Sequence, residues 1–274
     1  MNKKYLIVSN ENKDPGGNIL KNVTGELIAH NASYEVFDEK AENAESTENG
    51  DFDAIIVLGG DGTIMRTVSK IKSKCVRIFG VNTGTTGFLT GAEISDIKNA
   101  IKCLLNNEYI TEKRMMLDVF LNDSPLSTVF NDVVVTRNGY SRIIRLEVKI
   151  NDISVLSVSG DGIILATPTG STGYSLSAGG SICAPESKMI LITPICSHSL
   201  NGRPIIASDT DVVSVELLPE RNTENVDLGV TLDGQSFIKL AKGDKITVKR
   251  SERYVELIKT DKKTFFETLT HKLS

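Results

Sequence analysis

Apolar residues in the first hundred positions fall into short unbroken runs separated by stretches of helical period. Tyr5 to Ser9 reads as a strand, the polar turn Asn12-Lys13-Asp14-Pro15-Gly16-Gly17 follows, and a weak helical pattern covers Ile19 to His30. Tyr34 to Phe37 is extended, and the acidic stretch from Glu39 to Asp51 predicts a surface loop or a loosely held helix. Ala54-Ile55-Ile56-Val57-Leu58 is a continuous apolar run, the kind buried on both faces of a parallel sheet. Gly59-Gly60-Asp61-Gly62-Thr63 breaks that run, and Ile64, Val68 and Ile71 then recur at helical spacing. Cys75 to Val81 is a second buried strand, and Ser95 or Asp96 caps a helix carrying Ile97, Ile101, Leu104 and Leu105 on one face. Alternation of this kind builds a doubly wound α/β domain.

Near residue 108 the period becomes two. Met115, Leu117, Val119 and Leu121 alternate with other residues, as do Ile144, Leu146, Val148 and Ile150, then Val213, Val215 and Leu217, then Leu228, Val230 and Leu232. Strands with one wet face belong to antiparallel sheets, so the second domain is β-rich. The tail Thr264-Phe265-Phe266-Glu267 has the form of a capping box, with Phe266, Leu269 and Leu273 along one stripe. Such a helix needs a surface to cover, and the first domain is the expected one. The predicted division is residues 1–108, completed by about 252–274, and residues 109–251.

Composition narrows the function classes. Of 274 residues, 40% are hydrophobic and 24% charged, and the net charge is −4. That balance argues against broad nucleic-acid binding and against polybasic membrane attachment, so anionic ligands must be held by local groups. No apolar run has the length of a membrane span, and Tyr5-Leu6-Ile7-Val8 is too short for a secretory core, so a cytoplasmic location is expected. Cys75, Cys103, Cys183 and Cys196 form no Cys-x-x-Cys pair, which reads as scattered buried thiols without a zinc site, and no residue is assigned as a metal ligand.

The glycine turn at Gly59 to Thr63 lies between a buried strand and a helix start, where open α/β sheets bind ligands. Glycines let the backbone approach a phosphate, and the helix N-terminus offers N–H groups and partial positive charge. An aspartate there is at odds with phosphate unless Asp61 takes a proton from an attacking hydroxyl or holds a bridging divalent cation. A plain Gly-Asp-Gly turn is the simpler alternative. Asn82-Thr83-Gly84-Thr85-Thr86-Gly87-Phe88-Leu89 reaches the same sheet edge. In the second domain, Gly160-Asp161-Gly162 leads through a short apolar run into Thr167-Pro168-Thr169-Gly170-Ser171-Thr172-Gly173-Tyr174-Ser175-Leu176-Ser177, a loop dense in hydroxyls with one ring able to stack on a base. Asn131-Asp132 precedes Val133-Val134-Val135 and reads, by itself, as an Asx-type turn. His198 and Arg203-Pro204 read as structural.

In this order the motifs resemble the NAD kinase family, over about Ala54 to Gln235. Gly59 to Thr63 matches a motif shared with diacylglycerol, sphingosine and phosphofructokinase-type kinases. The specific part is Gly160-Asp161-Gly162, Ala166 to Tyr174, Pro194 to Pro204 and Leu232-Asp233-Gly234-Gln235. The resemblance implies a Rossmann or phosphofructokinase-like α/β N-terminal domain and a β-sandwich-like C-terminal domain, assembled as dimers or tetramers. It implies transfer of the γ-phosphate of ATP, carried with a divalent cation such as Mg²⁺, to the 2′-hydroxyl of the adenosine ribose of NAD. Asp61 is then the general base, with Gly62 and Thr63 near the phosphates. Asn131 and Asp132 contact the adenosine part, and Asp161 and the stretch Thr172, Gly173, Tyr174 to Ser177 form the NAD-binding loop. Four positions depart from the family pattern: Asp132 for a usual glutamate, Gly173 for a usual alanine (expected to loosen the loop), Thr85-Thr86, and Ser197 for a proline. Two rivals are a lipid kinase of the same superfamily and a non-catalytic NAD- or NADP-binding regulator.

Overall fold

Four parallel strands and the helices that cross between them build the first part of the chain. The computed structural model describes residues 3–10, 13–38, 52–84, 87–138, 143–199, 201–218, 228–260 and 263–273; the stretch expected as a loop or loose helix at Glu39 to Asp51, together with Thr85, Thr86 and Leu200, lies outside them. By internal contacts the chain divides into Met1–Arg114 with Arg253–Ser274, and Met115–Glu252. The first unit thus runs to Arg114 rather than 108.

In the first unit the elements are β1 (Lys4–Ser9), α1 (Asn18–Ala29), β2 (Ser33–Asp38), β3 (Ala54–Leu58), α2 (Asp61–Lys70), β4 (Cys75–Asn82), β5 (Ala92–Glu93) and α3 (Ile97–Asn106). β1 pairs in parallel with both β2 and β3, and β3 pairs in parallel with β4. The strand order therefore reverses at the β1/β3 boundary, where open sheets of this kind form a ligand crevice beyond the strand C-termini. All five residues of β3 are buried, as a strand covered on both faces requires. Val23 and Leu27 of α1 join Ile97, Ala100, Ile101 and Leu104 of α3 in one core, and each fully buried side chain of this size contributes about 1.5–3 kcal/mol.

The second unit holds β6 (Ile110–Leu121, entering from the first unit), β7 (Ser124–Val129), β8 (Asp132–Arg137), β9 (Ile144–Ile150), β10 (Ile153–Gly160), β11 (Gly162–Ala166), the single-turn α4 (Tyr174–Ser177), β12 (Met189–Ile195), β13 (Ile205–Ser208), β14 (Val213–Leu217), β15 (Leu228–Leu232) and β16 (Ser236–Leu240). β17 (Lys245–Lys259) leads back to the first unit, where α5 (Phe265–Leu273) ends the chain. Six antiparallel strands form one sheet in the order β13-β12-β11-β8-β15-β16. Its inner face, with Val133, Val135, Ile163 and Leu165, packs against Leu146 and Val148 of β9, Val158 of β10 and Val213 of β14. This is a two-sheet sandwich, as the period of two requires. β8, β11 and β12 are covered on both faces: Val134, Ile164, Ala166 and Leu191 on the opposite face pack together with Cys183. That second cover explains why β11 carries no polar alternation.

The tail forms its capping box, with Thr264 N–H donating to Glu267 Oε2 (2.7 Å) and Glu267 N–H returning to Thr264 Oγ1 (3.3 Å). Its inward stripe is shifted by one from the expected register. Phe266 is 59% exposed, and Phe265 instead packs on Phe88 with ring centroids 5.6 Å apart.

Candidate phosphate and dinucleotide sites

Two helices start at the C-terminal edge of the parallel sheet, and their N-termini are treated differently. At α1 the carboxylate of Asp14 accepts the N–H groups of Ile19 (3.0 Å) and Leu20 (2.9 Å), so that terminus is closed by the chain itself. At α2 the N-cap is Gly60, and no side chain caps the helix. The N–H groups of Thr63 and Ile64 return to Gly60 O, so the helix begins at Asp61 and not after the glycine turn as the sequence suggested. Uncapped N–H groups and the helix dipole make this the anion-receptive terminus of the pair.

Asp61 does not cap its own helix. Its carboxylate reaches the loop after β4, where Oδ2 accepts the N–H of Phe88 (2.8 Å) and Oδ1 that of Leu89 (3.0 Å). A Cβ at Gly87 would overlap Asp61 Oδ1, so only glycine allows this approach. The loop is braced from behind. Lys259 donates to Phe88 O (3.4 Å), Phe265 of α5 packs on the Phe88 ring, and the Lys272 ammonium lies 4.4 Å from that ring's centroid. Asp61 is part-buried, Gly62 is exposed and Thr63 is buried, with Thr63 Oγ1 accepting from Arg66 (3.4 Å). Beyond β4, Thr83 Oγ1 is buried with no partner among the described residues. The structure thus brings Asp61, Gly62 and Thr63 together with the second glycine-rich loop.

In the second unit, the Asn131-Asp132 pair stands at the start of β8, opposite Ala166 at the end of β11. The hydroxyl-rich loop leaves β11 there and closes over the pair. Thr167 donates its N–H to Asn131 O (2.8 Å) and its Oγ1 to Phe130 O (2.7 Å). Gly170 passes so close to Asn131 O that a side chain would overlap it. Thr172 ends a short 3-10 turn, Gly173 follows, and Tyr174 and Ser177 bound the single turn of α4 with Tyr174 48% exposed. The ring therefore has a face open to a stacking partner. Gly173 N–H is bonded to Gly170 O (3.0 Å), and a Cβ there would stand 3.3 Å from Gly170 O and 3.5 Å from Asn131 Nδ2. Thr169 Oγ1 is buried with no partner among the described residues, an opening for a polar ligand.

Asp132 is buried, and burial, helped by the charge of Asp233, pushes its carboxyl up to about 7. Asp233 is also raised by burial, against the opposing pull of three backbone N–H groups. Burial thus favours the protonated form of Asp132, which can donate to a sugar oxygen while still accepting. Asp233 lies within the Leu232 to Gln235 motif, where the sequence alone assigns it no role. An Asp-Gly between alternating strands signals a hairpin turn, and nothing local reveals what its carboxylate caps.

Asp161 is not part of this cluster within one chain. It precedes β11, at the opposite end of that strand from Thr167 to Ser177. It is paired with Arg137 (Nε to Oδ1, 2.7 Å), which holds its carboxyl below the ordinary range, with smaller help from the Cys196 thiol and His198. Among the described residues, no three acidic, histidine or cysteine side chains converge on a cation position, and no helix is long and apolar enough to cross a membrane.

Residues 7–109 match the ATP-NAD kinase N-terminal domain, and residues 130–260 match the ATP-NAD kinase C-terminal domain. An NAD kinase of Lachnoclostridium phytofermentans is 39% identical over 280 residues, covering 98% of both chains. An NAD kinase of Aquifex aeolicus is 37% identical over 275 residues, again covering 98% of each. Among solved structures, an NAD kinase from Archaeoglobus fulgidus in complex with ATP superposes with a TM-score of 0.80 at 27% identity, covering 98% of both chains. Yeast NADH kinase complexed with NADH shares the fold, with a TM-score of 0.86 at 22% identity over 99% of this chain and 88% of that one. Two adjoining domain matches and relatives aligned from end to end lead to one conclusion: the chain belongs to the NAD kinase family.

Proposed function

We propose that the protein transfers the γ-phosphate of ATP to the 2′-hydroxyl of the adenosine ribose of NAD, forming NADP and ADP. The observation that carries this reading is Asp61, a carboxylate fixed at both oxygens beside an uncapped helix N-terminus. Each oxygen accepts one backbone N–H and retains a lone pair, so the group is oriented and still able to take a proton. Asp61 accepts the 2′-hydroxyl proton as that oxygen attacks the γ-phosphorus and the bond to ADP breaks. Gly62 and Thr63, in the first turn of α2, lie against the phosphates.

Asn131 and Asp132 receive the adenosine hydroxyls and amide-type groups of the dinucleotide. Thr172, Gly173 and Ser177 line the loop, and Tyr174 stacks on a base. Asp161 enters this reading as a dinucleotide contact, made apart from that cluster. In this reading a divalent cation arrives with the nucleotide, at the terminus of α2 where Asp61 stands. Such a cation, taken to be Mg²⁺, neutralises phosphate charge when bound. The same reading extends to a homodimer or homotetramer acting in the cytoplasm.

The test is to incubate purified protein with ATP and NAD and follow NADP and ADP, varying Mg²⁺ against Mn²⁺ and offering diacylglycerol in parallel. NADP formation with matching ADP supports the assignment. Phosphorylation of the lipid alone would make the protein a lipid kinase, and binding without ADP release would make it a regulator. Sedimentation velocity on the same sample reads the assembly.

A further inference from the structure

The Asn131-Asp132 pair is held from both sides, and one of the two clamps is a buried carboxylate. Asp233 and Gly234 form the tip of the β15–β16 hairpin, with φ of 50° and 65° and Gln235 N–H closing the turn on Leu232 O at 3.0 Å. Two left-handed residues in succession produce the tight, right-twisted turn such hairpins prefer. The turn points the Asp233 side chain at the segment entering β8. Its Oδ2 accepts the N–H of Phe130 (2.8 Å), and its Oδ1 accepts those of Asn131 (2.7 Å) and Asp132 (3.0 Å). Asp233 N–H also donates to Asp132 O at 2.9 Å. Three consecutive backbone donors on one buried carboxylate are a large commitment, since ordinary turns leave such groups to water.

We infer that Asp233 is a positioning residue for dinucleotide binding: its carboxylate fixes the backbone of Phe130 to Asp132, so that Asn131 and Asp132 present their side chains in one orientation to NAD. This rests on the reading that those two residues hold the dinucleotide. The other clamp, Thr167 with the close approach of Gly170, fixes the carbonyl side of the same segment. A carboxylate is needed because the donors fall on both oxygens. An asparagine offers one acceptor oxygen, and its NH₂ would face a backbone N–H. Burial also separates Asp233 from Asp61: Asp233 is buried and takes three donors, whereas Asp61 is part-buried and takes two.

The test compares Asp233→Asn with Asn131→Ala and Asp132→Asn, measuring KM for NAD, KM for ATP, kcat, and hydrogen exchange at residues 130–132. For Asp233→Asn we expect the KM for NAD to rise about tenfold or more, the value of one lost charged hydrogen bond. The KM for ATP and kcat should stay near wild type, and exchange should accelerate at 130–132 first. A residue that only supports the fold would lower the melting temperature without splitting the two KM values, and that result overturns the inference. If Asn131→Ala and Asp132→Asn also leave the KM for NAD unchanged, the assignment of the pair itself fails. If those two raise it and Asp233→Asn does not, only the positioning role fails. Should Asp233→Asn not fold, Gly234→Ala keeps the carboxylate but strains the turn at φ 65°. It should raise the KM for NAD by a smaller factor with the KM for ATP unchanged, and equal KM values for NAD in Gly234→Ala and wild type would then overturn the proposal.

Discussion

Asp61 and Asp233 use the same device with opposite outcomes. Each is a carboxylate held by consecutive backbone N–H groups of a segment distant in sequence. Asp61 is part-buried at a helix terminus, with two donors and a lone pair to spare on each oxygen. Asp233 is buried, takes three donors, and sits in a hairpin tip. Backbone capture orients a carboxylate in both cases; the proposed general base is the one that keeps access to solvent, and the proposed positioning residue is the one that does not. The comparison is broken most directly by removing the charge where chemistry is expected. Asp61→Asn should lower kcat by about 10²–10⁴-fold, the usual range for a general base, with the KM for NAD nearly unchanged. Steady-state NADP formation measures this, and activity near that of wild type would remove Asp61 from the mechanism.

The second aspartate pair sharpens the comparison through pH. Asp132 titrates near 7 in the folded protein and near the ordinary carboxylate value, about 4, when unfolded. Between those values the folded state binds more protons than the unfolded state, so the stability slope with pH is negative. The contribution is present below about pH 4, is lost as pH rises through about 7, and is flat beyond it. Asp132→Asn cannot titrate, so its urea-unfolding free energy should fall less between pH 5 and pH 8. At pH 8 the variant gains at most about 4 kcal/mol over the native protein, three pKa units at 1.36 kcal/mol each. Equal slopes for the two proteins would show that Asp132 is ionised throughout.

The parallel-sheet half was largely legible in the sequence because its signals are local. A run such as Ala54 to Leu58 signals a buried strand, and Gly59-Gly60 after it mark the strand's end, although Gly62 already lies in α2. The sandwich was legible in its period of two, and the capping box at Thr264 in its spacing. What stayed hidden depends on contacts across long sequence separations. The grip of Phe88 and Leu89 on Asp61, that of Asp233 on Phe130 to Asp132, and the separation of Asp161 from the Thr172 to Ser177 loop all follow from topology. The stripe on α5 was misplaced by one residue because two adjacent phenylalanines satisfy the helical period equally, and only the Phe88 ring selects Phe265.

That grip on Asp61 supplies a third variant. At Gly87 an alanine Cβ would overlap Asp61 Oδ1. The side chain must then turn away, losing both N–H partners while keeping its charge. Gly87→Ala should lower kcat by about 10²-fold, the cost of displacing a reacting group by about 1 Å, and lower the melting temperature through the two lost charged hydrogen bonds. A variant as active as the native protein would show that Asp61 works without the loop's hold.

The smallest effect is expected where the sequence reading foresaw looseness. Gly173 has φ −96° and ψ −135°, between the broad β and α regions and so costly for a residue with a side chain, and its nearest contact for a new Cβ is Gly170 O at 3.3 Å. That spacing is tight, and Asn131 Nδ2 at 3.5 Å leaves room for only slight adjustment. The reduced entropy of the unfolded chain favours the alanine by about 0.4–1 kcal/mol, and the sparsely populated backbone together with the close contact outweighs it. Gly173→Ala should therefore shift the melting temperature downward by only a few degrees, with the KM for NAD altered less than threefold. A loop that glycine truly loosens would respond differently: the alanine would tighten NAD binding well beyond that factor, and rapid amide exchange across residues 170–177 would mark the native loop.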